Sequence, residues 1–215
     1  MVEKIDITLD DEHCYRVKMD GNLREVPSVT TIIKDVGYYP WSFNYTNIVG
    51  STLDKDKIEF PEEGKLTPAV RGTLIHKITE DIDRGIEVDP IAPELLPFIE
   101  AYRKFKSDNT IAITEIEEIV FNEEYWFAGA LDRVMRINGV PAIVDIKTGA
   151  KMKTTGVQLA AYRYAWEKMG GQKDMARFAL HLNDSGKYKL VPYRSAEDLP
   201  DFFAAIRVYN FKRNK

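Results

Sequence analysis

The stretch VPAIVDIKTG, residues 140–149, ends an apolar run on two charges one residue apart, Asp145 and Lys147. A strand that needs only burial has no use for them, because an unpaired buried charge is costly. Immediately before it, Asn138-Gly139 separates this run from FAGALDRVMRI. Asn-Gly between two apolar runs is a hairpin signal, since a type I′ turn needs φ > 0 at both central residues. Residues paired across such a turn have numbers that sum to 277, which sets Asp132 opposite Asp145 and Lys147 opposite Ala130. Asp145 and Lys147 share a strand face at period two. Two opposed carboxylates repel, and a divalent cation held by both would offset that repulsion. Carboxylates that hold a cation, beside a lysine that orients water or neutralises charge at phosphorus, are what metal-assisted phosphodiester chemistry requires. The competing reading is a charge-paired hairpin end with no chemistry.

Other residues join this set by position. TPAVRGTLIHKITEDIDRG reads as a helix with Thr67 as N-cap, Pro68 at its first position and Gly85 just past its end. His76 lies on it one turn after Gly72, whose missing side chain leaves room for close approach. Glu80, a turn further, reads as a partner that supports His76 or, by preference, as an exposed helix charge. Glu115, Glu117, Glu118, Glu123 and Glu124 crowd the strand before the hairpin, and spacing does not choose among them. Gln158, Tyr162 and Trp166 fall on one face of a helix over about 155–169.

The elements around these residues follow from turn and cap signals. Two or three short strands occupy 3–27, with a turn at Asp20-Gly21-Asn22. A short helix follows, capped by Ser28 and stopped at Gly37. Residues 38–68 are irregular and aromatic-rich, too long for an idle loop, and read as a lid or binding loop. A helix is expected over about 93–108, then strands near 112–121, 126–137 and 140–147. Two strands flank NDSGKY, and a last helix over 195–212 is capped by Ser195 with Asp198 in a capping-box position. This order indicates an α/β (α+β) fold with a central mixed sheet flanked by helices.

At 215 residues, 44% hydrophobic and 30% charged, the chain suits one domain, 1–215, with a core at 67–192, an N-terminal elaboration at 1–66 and the terminal helix. No apolar run approaches the roughly 20 residues of a membrane span. The opening MVEKIDITLDDEH has no apolar signal segment, so a cytoplasmic location is expected. The single Cys14 excludes a disulfide framework, a four-cysteine zinc site and a four-cysteine iron–sulfur cluster within one chain. A net charge of −4 does not announce a nucleic-acid binder. Basic residues nonetheless cluster locally at Lys147, Lys151 and Lys153 and in the closing RVYNFKRNK.

GTLIH (72–76), GALD (129–132), DIKTG (145–149) and QLAAY (158–162) occur in an order and spacing that resemble the PD-(D/E)XK nucleases. The match is to the RecB-type branch, which includes phage exonucleases and CRISPR adaptation nucleases. The resemblance covers about 70–170 and implies a restriction-endonuclease-like core. It implies that Asp132 and Asp145 are metal ligands, joined by His76 and the backbone carbonyl of Ile146, with Lys147 as the catalytic lysine. It also implies that Gln158 and Tyr162 touch DNA backbone or support the site. The expected cofactor is Mg²⁺ or Mn²⁺, without an iron–sulfur cluster, and the expected activity is phage or prophage-type DNA exonuclease. Arg71, Lys151 and Lys153 are candidate DNA contacts. No phosphate-binding loop marks an ATPase motor in this chain, so a helicase or recombination partner would supply one. Two rivals stand beside this reading: a DNA-binding module on a silent nuclease fold, and an interaction protein whose hairpin charges only pair with each other.

Overall fold

A computed structural model of the chain describes residues 6–10, 14–37, 66–88 and 91–213. The expected lid over 38–68 falls, except for its last three residues, outside them. The described chain runs β1 (Ile7–Leu9), β2 (Tyr15–Met19), β3 (Asn22–Val26), α1 (Val29–Asp35), α2 (Pro68–Arg84), α3 (Leu96–Asp108), β4 (Ile111–Asn122), β5 (Phe127–Ile137), β6 (Val140–Lys147), α4 (Thr154–Lys168), β7 (Ala176–Leu182), β8 (Tyr188–Pro192) and α5 (Asp198–Arg213).

Five strands form one mixed sheet in the order β4-β5-β6-β7-β8. Only β6 and β7 are parallel, and α4 is the crossover between them. One face of the sheet packs on α1, α4 and α5 through Ile143, Val134, Leu131 and Phe127. The other packs on α2 and α3 through Met135, Ile137, Val144 and Ile146. The β1–β3 sheet is a separate meander. It closes the first half of β5 with Tyr15, Val17 and Val26 against Phe121 and Ala128. This is the expected α+β architecture with N-terminal strands.

Local chemistry explains the elements that carry the site. Thr67 Oγ1 accepts from the Val70 N–H at 3.3 Å, Pro68 opens α2, and Gly85 takes the left-handed φ of 70° that ends it. Asn138 and Gly139 have φ of 51° and 84°, as a type I′ turn demands. The β5–β6 register follows, from Ile137↔Val140 to Arg133↔Val144.

Two helix starts differ from expectation. Pro93 and its neighbours form a turn in which Leu95 N–H donates to the Ala92 carbonyl, so α3 begins at Leu96. The last helix begins at Asp198, not beside Ser195. Ser195 Oγ accepts from the Glu197 N–H at 3.2 Å, while Asp198 is drawn 3.0 Å from Arg177 and closes no capping box.

The alternation of β4 breaks at two steps. Ile111, Ile113, Ile116, Ile119 and Phe121 share a face of β4, facing β5 partners Ile137, Met135, Arg133, Ala130 and Ala128. A regular strand spaces same-face residues by two, but here two steps are three residues long. The first holds the register shift between Ile113 and Glu115. The second holds Glu117, whose φ of 54° is left-handed. The β5 side of that step holds Asp132. Both strands therefore lose phase at the same point, and Glu117 and Asp132 are the residues left in the gap.

Candidate active site

The site sits where β5 and β6 part. Hydrogen-bonded pairs alternate along the hairpin, so a continued ladder would direct the Ile146 N–H to the Leu131 carbonyl. Instead it donates to Asp132 Oδ2 at 2.6 Å, and the ladder ends one step before Asp132 and Asp145. Beyond this point β6 pairs with β7, Asp145 beside Ala179 and Lys147 beside His181. The expected pairing of Lys147 with Ala130 is therefore not formed, because the Asp132 side chain takes the ladder donor and the strands splay.

Four elements bring side chains to this opening. His76 comes from α2, its Nδ1 3.6 Å from Asp132 Oδ2. Glu117 comes from the irregular step in β4. Among the described residues, His76, Glu117 and Asp132 each offer a ligand atom, all within 4.8 Å of one another. Two ligands across one Mg²⁺ are at most about 4.2 Å apart at bond lengths near 2.1 Å. Neighbouring ligands of an octahedral ion stand nearer to about 3 Å, so the three side chains must draw together to hold one. Its imidazole and carboxylates suit a divalent ion of the Mg²⁺ or Mn²⁺ kind.

Asp145 and Lys147 project from β6 on the α4 side. Lys147 Nζ lies 2.8 Å from Asp145 Oδ2. A carboxylate oxygen in such a pair keeps further lone-pair capacity with which to coordinate. Burial pushes the Asp145 carboxyl above its usual range; Lys147 opposes the shift and Asp132 adds to it. Burial also holds the His76 imidazole below its ordinary value, against the pull of Glu117 and Asp145, which keeps it in the neutral form that binds metals. The Asp145–Lys147 pair alone is what a structural hairpin end would show. The compact His76, Glu117 and Asp132 group beside it has no role in such a hairpin.

The helix residues pack behind these groups. Gln158 and Tyr162 are both buried, and Gln158 Nε2 donates to Tyr162 Oη at 3.1 Å. The Tyr162 ring lies on Gly129, where an added Cβ would come within 2.2 Å of its Cε1. The QLAAY and GALD motifs are thus one packing unit, with Asp132 three residues further along the strand. Burial raises the Tyr162 hydroxyl well above its usual range, so it remains a neutral phenol. Gly72 is less constrained. Among the described residues a Cβ there would meet only Thr148 Oγ1, at 3.6 Å, so their packing does not require glycine.

The candidate nucleic-acid contacts are dispersed. Arg71 lays its guanidinium over the Phe98 ring of α3, 5.2 Å from its centroid. Lys151 Nζ stands 5.8 Å over the Tyr193 ring, and Lys153 is exposed at the start of α4. Lys212 and Arg213 pair with Asp35 at 3.1 and 3.3 Å, which binds α5 to the end of α1. Glu80 pairs with Arg84 at 2.9 Å and is not turned to His76.

Sequence reasoning left Glu117 unresolved among five glutamates. The spacing of β4 singles it out: Ile113, Ile116 and Ile119 step by three where a strand steps by two, and Glu117-Glu118 fills the second irregular step. Arg133 carried no expectation, although it is fully buried directly after Asp132.

No curated protein matches the chain. Seventeen solved chains do. Among them is the crystal structure of a candidate exonuclease from Eubacterium rectale, at a TM-score of 0.48 and 14% identity, covering 72% of this chain and 68% of that one. The family model of the PD-(D/E)XK nuclease superfamily matches residues 89–209, a span that holds Glu117, Asp132, Asp145, Lys147, Gln158 and Tyr162 but begins after His76. That span is more than half of the chain, which therefore belongs to the PD-(D/E)XK nuclease superfamily.

Proposed function

We propose that this nuclease is a divalent-metal-dependent deoxyribonuclease that acts as an exonuclease, with 1–215 as a single domain. The observation that carries the metal dependence is the His76, Glu117 and Asp132 group, compact to 4.8 Å, beside a buried Asp145 carboxylate and the Lys147 ammonium. His76, Glu117, Asp132 and Asp145 would hold Mg²⁺ or Mn²⁺. The Ile146 carbonyl is a further donor, because it points to the same side of β6 as the N–H that meets Asp132. The bound cation supplies charge neutralisation at phosphorus and lowers the pKa of the attacking water.

The chain's own groups supply the rest. Asp132 fixes the gap between the strands by accepting from Ile146. Lys147 is steadied by Asp145 and presents an ammonium that orients the water or donates to a phosphate oxygen as charge develops. Gln158 and Tyr162 support Gly129 and the strand that carries Asp132. Lys151 and Lys153 meet the phosphate backbone. The exonuclease assignment is supported by the motif order, which resembles the branch that includes phage exonucleases. The lone cysteine supports a reducing, cytoplasmic setting. No described helix is long and apolar enough to cross a membrane. A phage or prophage recombination role, with a helicase or recombinase as partner, fits a nuclease without its own motor.

The test is end-labelled linear and closed circular DNA, single- and double-stranded, incubated with Mg²⁺, Mn²⁺ or EDTA. The parent protein is run beside Asp145→Ala and Lys147→Ala. The expected result is metal-dependent loss of linear DNA only, absent in both variants. Cleavage of closed circles would refute the exonuclease assignment, and full activity in EDTA would refute the metal site.

A further inference from the structure

Arg133 is fully buried, and its guanidinium spends its donors on a defined set of partners. Nε lies 2.6 Å from Asp83 Oδ2. Nη1 donates to the Asp132 carbonyl at 2.6 Å and lies 3.3 Å from Glu117 Oε1. Nη2 donates to Thr79 Oγ1 at 3.4 Å, and Thr79 Oγ1 in turn donates to the His76 carbonyl at 2.9 Å. One side chain therefore reaches all three members of the cation-binding group: Asp132 through its backbone, Glu117 through its carboxylate, and His76 through Thr79. Asp83, seven residues after His76 on the same stripe of α2, takes Lys106 Nζ at 2.6 Å on its other oxygen, while the Tyr102 hydroxyl donates to the Oδ2 that meets Arg133.

We propose that Arg133 is the positioning residue of the metal site, a bracket that sets the spacing of His76, Glu117 and Asp132 and so sets metal affinity. The proposal rests on the metal-site reading above. A buried ion pair is weak evidence for stability, since apolar residues of similar volume often serve as well or better. A network of this cost calls for a reason besides cohesion, and its partners supply one. The rigid fork of arginine, with five N–H donors, fits a bracket in a way that a lysine point charge does not. It also accounts for the left-handed Glu117. That backbone strain persists only where the surroundings over-determine it, and Arg133 is the group that grips the Glu117 carboxylate from below the sheet.

The experiment measures Mn²⁺ affinity by electron paramagnetic resonance, well below the melting temperature, on folded protein without DNA. The parent is compared with Arg133→Lys, Thr79→Val, Asp132→Asn and a remote core variant, Phe202→Leu. Outer partners of metal ligands typically change affinity by about 10–100-fold. Arg133→Lys is expected to weaken Mn²⁺ by about tenfold or more, and Thr79→Val by at least about threefold, below that range because a single link is lost. Phe202→Leu should leave affinity unchanged while lowering the melting temperature. Should Arg133→Lys fail to fold, Thr79→Val decides. Affinity within twofold of the parent in both bracket variants, with Asp132→Asn still impaired, overturns the bracket and leaves the metal site standing. An equal loss in Phe202→Leu overturns it as well, by reducing the effect to general instability. A parent that takes up no Mn²⁺ overturns the bracket and the metal site together.

Discussion

Replacing Gly129 by alanine tests whether the two motifs form one unit. Gly129 has no left-handed φ, so alanine is conformationally welcome there. By propensity alone the change should stabilise the strand by about 0.5–1 kcal/mol. Packing predicts the opposite sign. The new Cβ would stand 2.2 Å from Tyr162 Cε1, 3.0 Å from Cδ1 and 3.1 Å from Cζ, whereas ordinary contact begins at 3.4 Å. The ring edge must therefore retreat by about 1.2 Å, the difference between 3.4 and 2.2 Å. It has little freedom to do so, being buried, fixed to α4 and hydrogen-bonded to Gln158. Overpacking of this kind costs about 1–3 kcal/mol. Less the propensity gain, the net loss is about 1–2 kcal/mol, and at about 2–4 °C per kcal/mol for a chain of this size it lowers Tm by roughly 2–8 °C. The assay is calorimetric melting without metal, on Gly129→Ala, Tyr162→Leu and the double variant. Tyr162→Leu removes the ring edge, so the alanine penalty should shrink sharply in the double variant. A Gly129→Ala protein as stable as the parent, or a penalty that survives intact in the Tyr162→Leu background, would refute the packing argument.

Asp145 gives a pH-signed prediction. Its folded pKa is raised by burial, so its contribution to stability is present below the unfolded value of about 3.9 and is lost as pH rises through the folded pKa. At neutral pH the buried charge is a burden, and Asp145→Asn should raise the metal-free Tm by roughly 2–4 °C, equivalent to about 1 kcal/mol, while abolishing cleavage; a lower Tm at pH 7.5 refutes this. His76 is held below its ordinary value, so the neutral ligand persists into mild acid. The Mn²⁺-induced rise in Tm should still be present at pH 6, and a rise that titrates away with a midpoint at or above about 6.5 contradicts the assignment. Converting Lys151 and Lys153 together to alanine should reduce the slope of log affinity against log salt by about 0.9 per lost phosphate contact on duplex DNA. An unchanged slope in filter binding removes both from the interface.

The legible parts of this molecule are those fixed by local backbone chemistry. Asn138-Gly139 set the hairpin register, and Thr67, Pro68 and Gly85 bounded α2 to the residue. They place His76 on α2 and Asp145 with Lys147 on one face of β6, but not the end of the ladder before Asp132 and Asp145. What was not legible depends on contacts between distant segments. The parting of β5 from β6 needs α4 to carry the chain over to β7, and periodicity does not report that partner. The Arg133 network joins α2, α3, β4 and β5, and a lone arginine in an apolar strand announces none of these. Glu117 stands between the two cases. Its irregular spacing was present in ITEIEEIVF, but doubled glutamates read as solvated charge until the ladder shows which one is inverted.

The splayed end of β6 also bears on how the molecule assembles. Hairpins close in about 1–10 μs, and residues 133–144 need only their own turn to pair. Asp145 and Lys147 lie beyond that zipper. Their backbone pairing is with β7, across the whole α4 crossover, and such distant parallel pairing is slow. The ionic end of the strand is therefore expected to stay hydrated until β7 docks, and its unfavourable dehydration to come with that step. Interactions made that late influence the unfolding rate rather than the folding rate. Substitutions at this end of β6 are thus expected to change the unfolding rate while leaving the route to the fold open.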